Sequence, residues 1–217
     1  MSVAVRWRGP DGWLLREAWE RRQAGHAERL VPMIAGIMEA AGSSFASLDR
    51  IAVTLGPGGF TGVRVGVSAA RALALATAKP VIATTSLAVM AHRAEEMLGG
   101  LRGNGRLVVA VDARRGVLYA QGFTAGARAT SEALAMTPDE AARWVGPEGA
   151  LIVGSAAPAL AGLVREAGGD AEAQLEDLEP HARSLAALAP MLAPVAPVRP
   201  LYLRPPDVRI PADATLA

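Results

Sequence analysis

Arg50 to Leu55, Gly56-Pro-Gly-Gly-Phe-Thr-Gly62 and Val63 to Thr77 read, in that order, as a short apolar strand, a glycine loop and a long apolar helix. Such a unit belongs to a sheet covered by helices. Two readings of the loop stand side by side. Glycines let backbone amides face an anion, and the start of the following helix adds favourable partial charge, so Gly56, Pro57, Gly58, Thr61 and Gly62 could cradle a phosphate. Alternatively, the glycines permit a tight strand-to-helix turn, with Thr61 capping the helix. A P-loop places Lys and then Ser or Thr after its last glycine, whereas Val63 and Arg64 follow here, which argues against nucleotide hydrolysis by this loop. On the helix, Gly62, Gly66, Ala70 and Ala74 recur every four residues and form a flat row, with Arg64, Ser68 and Arg71 on roughly the opposite side. A flat row packs on the chain's own sheet or on a partner helix.

Working outward, Val3 to Arg8 and Trp13 to Trp19 flank Gly9-Pro-Asp-Gly12 and predict a β-hairpin. From His26 to Ala41, Leu30, Met33, Ile34, Ile37 and Met38 follow helical spacing, with Pro32 expected in the first turn. Pro80 to Thr84 predicts a strand and Ser86 to Leu98 a helix, and the glycine-rich stretch Gly99 to Gly105 predicts a connector between two lobes, residues 1–100 and 101–217. Leu107 to Val111 and Val117 to Phe123 predict a second hairpin around Asp112-Ala-Arg-Arg-Gly116. Thr137-Pro-Asp-Glu140 carries the residues of a capping box with proline at the first helical position. Ala150 to Gly154 predicts a strand, and Ala157 to Ala167 and His181 to Leu192 predict helices. The tail, with Pro190, Pro194, Pro197, Pro200, Pro205, Pro206 and Pro211, is expected to run extended.

The sequence has 217 residues, is 51% hydrophobic and carries a net charge of +1, the profile of a globular domain with little overall pull on nucleic acid. All 22 basic residues except Lys79 are arginine, and cysteine is absent, which excludes disulfides, thiolate metal sites and cysteine nucleophiles. The N-terminal residues do not form a signal peptide and no run is apolar enough for a membrane span, so a cytoplasmic location is the expectation.

Four stretches, Gly56 to Arg64, His26-Ala-Glu-Arg-Leu-Val-Pro32, Asp112 to Gly116 and Leu201-Tyr-Leu-Arg204, resemble in the same order the signatures of the TsaB (YeaZ) family. That resemblance implies a two-lobed actin-like, ribonuclease-H-like (ASKHA) α/β fold with mixed sheets and helices on both faces. It implies a non-catalytic subunit that pairs with and activates its paralogue TsaD, the threonylcarbamoyltransferase that makes N6-threonylcarbamoyladenosine at position 37 of tRNA. The ATPase TsaE would join the pair and tRNA would be met through the complex. No cofactor is expected on this chain; ATP is used by the complex and the metal is expected on the partner. The helices after His26 and Gly62 would form the interface with TsaD or with a second copy, through Leu30, Met33 and Ile37 on one and Gly62, Val65, Gly66, Ala69, Ala70 and Leu73 on the other. Asp112 and Arg114 would lie near any nucleotide. Family members open on a strand that ends in an Asp-Thr-Ser type loop; Met1 to Val5 aligns with the strand after it, so the first lobe is expected to lack that strand.

Two rivals need residues placed differently. A glycoprotease-like metallopeptidase of the M22 type needs clustered ligands, and His26, His92 and His181 are far apart, with no second His one helical turn from His92. An ATP-using small-molecule kinase of the same fold needs an acidic phosphate loop at the start of the first lobe.

Overall fold

The computed structural model describes residues 1–21, 24–101 and 105–204. Residues 102–104 of the glycine connector, and Pro205, Pro206 and Pro211 of the tail, lie outside the described residues. The chain opens on the hairpin of β1 (Ser2–Gly9) and β2 (Gly12–Trp19), whose antiparallel register runs from Ser2↔Trp19 to Gly9↔Gly12, leaving Pro10 and Asp11 as the turn. Strand alternation turns Val3 and Val5 to one face. There α1 (His26–Ala40) covers them with Leu30, Met33, Ile37 and Met38. Pro32 is not in the first turn as expected but is the seventh residue of α1, because the helix begins just after Gly25. Its ring leaves the carbonyl of Glu28 without a helical amide, and its exposed position lets water serve that carbonyl.

The strand, loop and helix of the opening stretch form β3 (Ile51–Thr54) and α2 (Phe60–Thr77), and β4 (Val81–Thr84) returns parallel to β3. α2 starts three residues earlier than the sequence suggests. Gly59 stands at its N-cap and no side chain caps it, so Thr61, expected as the cap, is the second helical residue. Its flat row faces the chain's own sheet: a Cβ on Gly66 would lie 3.8 Å from Val53, and Ala70 and Ala74 pack with Ile51, Val53 and Val81. α3 (Ser86–Leu98) follows, capped by Thr85, whose Oγ1 accepts the Ala88 amide at 2.9 Å.

The second half contains β5 (Leu107–Asp112), β6 (Leu118–Thr124), β7 (Arg128–Ala129), β8 (Leu134–Met136), α4 (Pro138–Val145), β9 (Ala150–Val153), α5 (Ala157–Glu166), β10 (Ala171–Gln174) and α6 (Ala182–Leu188). The sheet order is β10-β9-β5-β6-β7, with β8 also on β6. It is parallel through β10, β9 and β5 and antiparallel beyond, hence mixed. Both faces are buried. Val108, Ala110, Ala120 and Ile152 pack under α4 and α5, while Leu107, Val109, Phe123 and Val153 pack under α3. The capping box at Thr137 and Glu140 forms as read. The predicted helix from His181 stops at Leu188 and tightens into a 3-10 turn, Ala189–Met191, with Pro190 in it.

Two helices pack across the sequence order. α3 lies on β5 and β6 of the second sheet, and α6 returns to β1 and β3 of the first half. Arg6 donates to the carbonyls of Ala186 at 3.3 Å and Ala187 at 3.4 Å, and Arg50 donates to that of Ala189 at 3.3 Å. His181 caps the other end of α6, 3.3 Å from Glu17. Burial holds its imidazole below the ordinary histidine pKa, outweighing the opposite pull of Glu17.

Phe123 is fully buried, so Phe123→Ala is expected to remove about 3–5 kcal/mol of stability, measured by urea denaturation. The folded chain binds a proton at His181 less readily than the unfolded chain does. Stability is therefore full above the ordinary histidine range, about 6.5, and declines as pH falls through it. Thermal midpoints should drop more steeply below that pH for the parent chain than for His181→Asn.

Candidate functional site: signature loops and an outward helical face

Three of the four signature stretches meet in space. The Leu55 carbonyl accepts the Leu201 amide at 2.7 Å, and the Gly56 carbonyl accepts the Ser86 amide at 2.7 Å. Gly56 has φ +102°, a conformation side chains resist, and a Cβ there would stand 3.2 Å from the Leu201 carbonyl oxygen. Pro57 is buried behind it, while Gly58, Thr61 and Gly62 are exposed. Arg64 closes the cluster. Its Nε donates to the Tyr202 hydroxyl at 2.6 Å and its guanidinium lies 3.7 Å from the centre of the Phe60 ring, with the two rings 5.7 Å apart. At the far end Arg204 reaches the Ala113 carbonyl at 3.5 Å.

Asp112 belongs to that turn. Its Oδ1 accepts the Arg114 amide at 2.7 Å, and its own amide donates to the Ser155 hydroxyl at 2.9 Å. The carboxylate thus holds a turn in which Arg114, Arg115 and Gly116 have φ of +64°, +55° and +70°. Arg114 itself is exposed. The fourth stretch, His26 to Pro32, forms the start of α1 and is not part of this cluster.

The expected interface residues divide. Leu30, Met33, Ile37 and Ala70 are 8%, 4%, 8% and 4% exposed, so these side chains form the chain's own core rather than a partner surface. Val65 and Ala69 fill the seam between α1 and α2, Gly66 and Leu73 are half-buried, and only Gly62 is open. What the two helices present outward is different: Val31 (63% exposed), Pro32, Ala35 and Gly36 on α1, and Ser68, Ala72, Leu75 (87% exposed) and Ala76 on α2. The signal was in the sequence. α2 carries Arg64 and Arg71 as its only charges and is apolar almost all round, so burying one face leaves another apolar face in water.

The histidines have structural neighbours. His92 Nδ1 is 3.4 Å from a Glu96 oxygen that accepts the Ser184 hydroxyl, His181 caps α6, and His26 begins α1. Among the described residues no group of three or more His, Asp and Glu is placed to hold a metal ion.

A family model described as "TsaD: tRNA N6-adenosine threonylcarbamoyltransferase" matches residues 20–168. The fold is similar to a solved structure from Pseudomonas aeruginosa, an uncharacterized protein with similarity to peptidase YEAZ. The TM-score is 0.73 at 27% identity, covering 94% of each chain. The tRNA threonylcarbamoyladenosine biosynthesis protein TsaB of Escherichia coli (strain K12) is 38% identical over 96 residues, 43% of this chain and 39% of that protein. This chain belongs to the TsaD family. An uncharacterized protein of Mycobacterium tuberculosis (strain ATCC 25618 / H37Rv) is 34% identical over 85% of this chain and 77% of its own length. Erythrobacter litoralis TsaD shares 53% identity, over 62 residues that make up only 18% of that transferase. The chain thus spans less than half the length of the E. coli TsaB and E. litoralis TsaD sequences it matches.

The close approach at Gly56 is testable. Gly56→Ala, strained in φ and crowded by Leu201, is expected to lower unfolding free energy by about 1–3 kcal/mol in chemical denaturation.

Proposed function

We propose that this chain is a non-catalytic subunit of the cytoplasmic machinery that makes N6-threonylcarbamoyladenosine in tRNA. It pairs with a TsaD threonylcarbamoyltransferase, raises its activity, and is joined by the ATPase TsaE. Family membership supplies the chemistry of the assembly, and the outward face of α1 and α2 supplies the surface. The observation that carries the reading is Leu75, 87% exposed, beside Ala72, Ala76 and Ser68 on a helix whose opposite side is already packed on β3. Small side chains let a partner helix approach closely, and an exposed apolar strip favours association.

The absence of a catalytic role in this chain is supported by what its candidate groups do. Asp112 is engaged by the Arg114 amide and His92 sits against Glu96 at the α3–α6 contact. In this reading the chain carries no cofactor of its own. ATP is consumed by the assembly, and the metal belongs to the transferase. The same helical face also suits a second copy of this chain, so the homodimer competes with the heterodimer.

Light scattering on a sizing column tests the pairing. The chain mixed with TsaD of the same organism is expected to elute as a one-to-one complex. Ala72→Arg and Leu75→Asp, both at exposed positions, should weaken the complex at least about tenfold while leaving the thermal midpoint within a few degrees. Unchanged pairing by both variants would remove the helical face from the reading, and separate elution of the parent chain would remove the reading itself.

A further inference from the structure

No Asp or Glu occurs between Asp49 and Glu95, nor between Glu179 and Asp207. The fold packs these two acid-free stretches against each other: Val195 donates to the Val81 carbonyl at 2.9 Å, Leu201 to the Leu55 carbonyl at 2.7 Å, and Arg64 to the Tyr202 hydroxyl at 2.6 Å. In a chain of net charge +1, that pairing concentrates cations along one flank.

The flank runs along α2. Arg64 and Arg71 are two helical turns apart, and Lys79 follows the helix end, so the three span about 22 Å at 1.5 Å per residue. Arg71 and Lys79 border a cleft of about 390 Å³ whose floor is Val81, Pro194 and Val198. Arg199, next to Val198, is exposed. Beyond Arg64, Arg204 reaches the Asp112 turn, where Arg114 is exposed and the carboxylate of Asp112 accepts the Arg114 amide. Among the described residues none of Arg64, Arg71, Lys79 and Arg199 forms an ion pair.

Charge alone would suit any polyanion. Two aromatic rings narrow the choice: Phe60 and Tyr202, 46% and 45% exposed, stand in the middle of the row with the Arg64 guanidinium against them. Planar rings beside arginines are what unpaired nucleobases stack on, while the flanking cations take the backbone phosphates. Around α2 the flank shares a side with Ser68 and Leu75, which follow Arg64 and Arg71 by one helical turn each, while Lys79, Arg199 and Arg204 lie outside the helix.

We propose that this flank is an RNA contact surface. Phosphates lie along Lys79, Arg71, Arg64 and Arg204, and an unstacked base lies on Phe60 or Tyr202. The inference rests on the tRNA-modification reading and deepens it, because the chain then contributes to tRNA binding directly rather than only through its partner.

The test measures fluorescence anisotropy of a labelled, unmodified tRNA transcript with the full chain, with TsaD alone, and with their complex, across a salt titration. Complex formation is followed by light scattering on the same samples. Arg71→Gln/Lys79→Gln is expected to weaken tRNA binding by the complex about tenfold and to lower the salt slope by about 1.5, since each phosphate left without its cation takes away roughly 0.7–0.9. Tyr202→Ala should weaken binding with little change in slope, since it removes stacking and no charge. Arg143→Gln, exposed on α4, should change neither quantity. Should the double variant fold poorly in circular dichroism, Arg199→Gln carries the same expectation at about half the slope change.

Parent affinity and slope in the flank variants would overturn the inference, as would equal loss in Arg143→Gln. Binding by the complex no tighter than by TsaD alone would also overturn it. Tighter binding to vesicles containing phosphatidylserine than to tRNA would assign the flank to a membrane instead. Intact pairing in those cases leaves the subunit reading standing, whereas loss of pairing by the parent chain counts against that reading and not against the flank.

Discussion

The first half of the molecule is built from two separate two-stranded ladders, β1 with β2 and β3 with β4, and among the described residues no strand pairing joins one ladder to the other. A two-stranded sheet has too little apolar area to stand alone in water. The half therefore depends on a clamp of helices. α1 and α2 meet over one side through Val65 and Ala69, and α6 lies against β1 and β3. Arg6 and Arg50, one from each ladder region, donate to carbonyls at the end of α6, where a helix has unpaired acceptors and negative partial charge. Those bonds tie the two ladders to one helix end, and the position of the glycine loop follows from them.

Much of this was legible in the residues. The hairpin turn Pro10-Asp11, the capping box of Thr137 and Glu140 and the strand-loop-helix order at Gly56 are set by chemistry within a few residues; the first two formed as read, and the third differs in that α2 begins at Phe60 with Gly59, not Thr61, at its N-cap. β7, β8 and β10 were not read, because strands of two to four residues such as Ala171–Gln174 have too little pattern and take their state from a neighbouring strand. The placement of Pro32 went wrong for a similar reason: where α1 starts is decided by Gly25, in left-handed conformation, and not by the proline.

The site was half legible. Signature stretches separated by roughly 50 to 90 residues were recognised one by one, but that Arg64 would meet Tyr202 and Arg204 would meet the Asp112 turn depends on tertiary paths that no spacing reveals. Leu30, Met33, Ile37 and Ala70, expected at an interface, are buried because helical periodicity marks the side with most apolar residues. In α1 and α2 that side belongs to the chain's own core. The informative residues were the apolar ones left over, Val31 and Leu75, which no internal packing accounts for.

The crossed placement of α3 and α6 has a consequence for synthesis. At about 5–20 residues per second, the β1–β2 hairpin leaves the ribosome roughly 8 to 33 s before α6 arrives to cover it. During that interval the part of β1 that will meet α6 waits in water, and the second sheet can close first, since α3 precedes it in the chain. The early half is thus a nascent-chain intermediate that waits for α6, the kind of segment that chaperones hold. A chain cut before Ala182 would release it in that state.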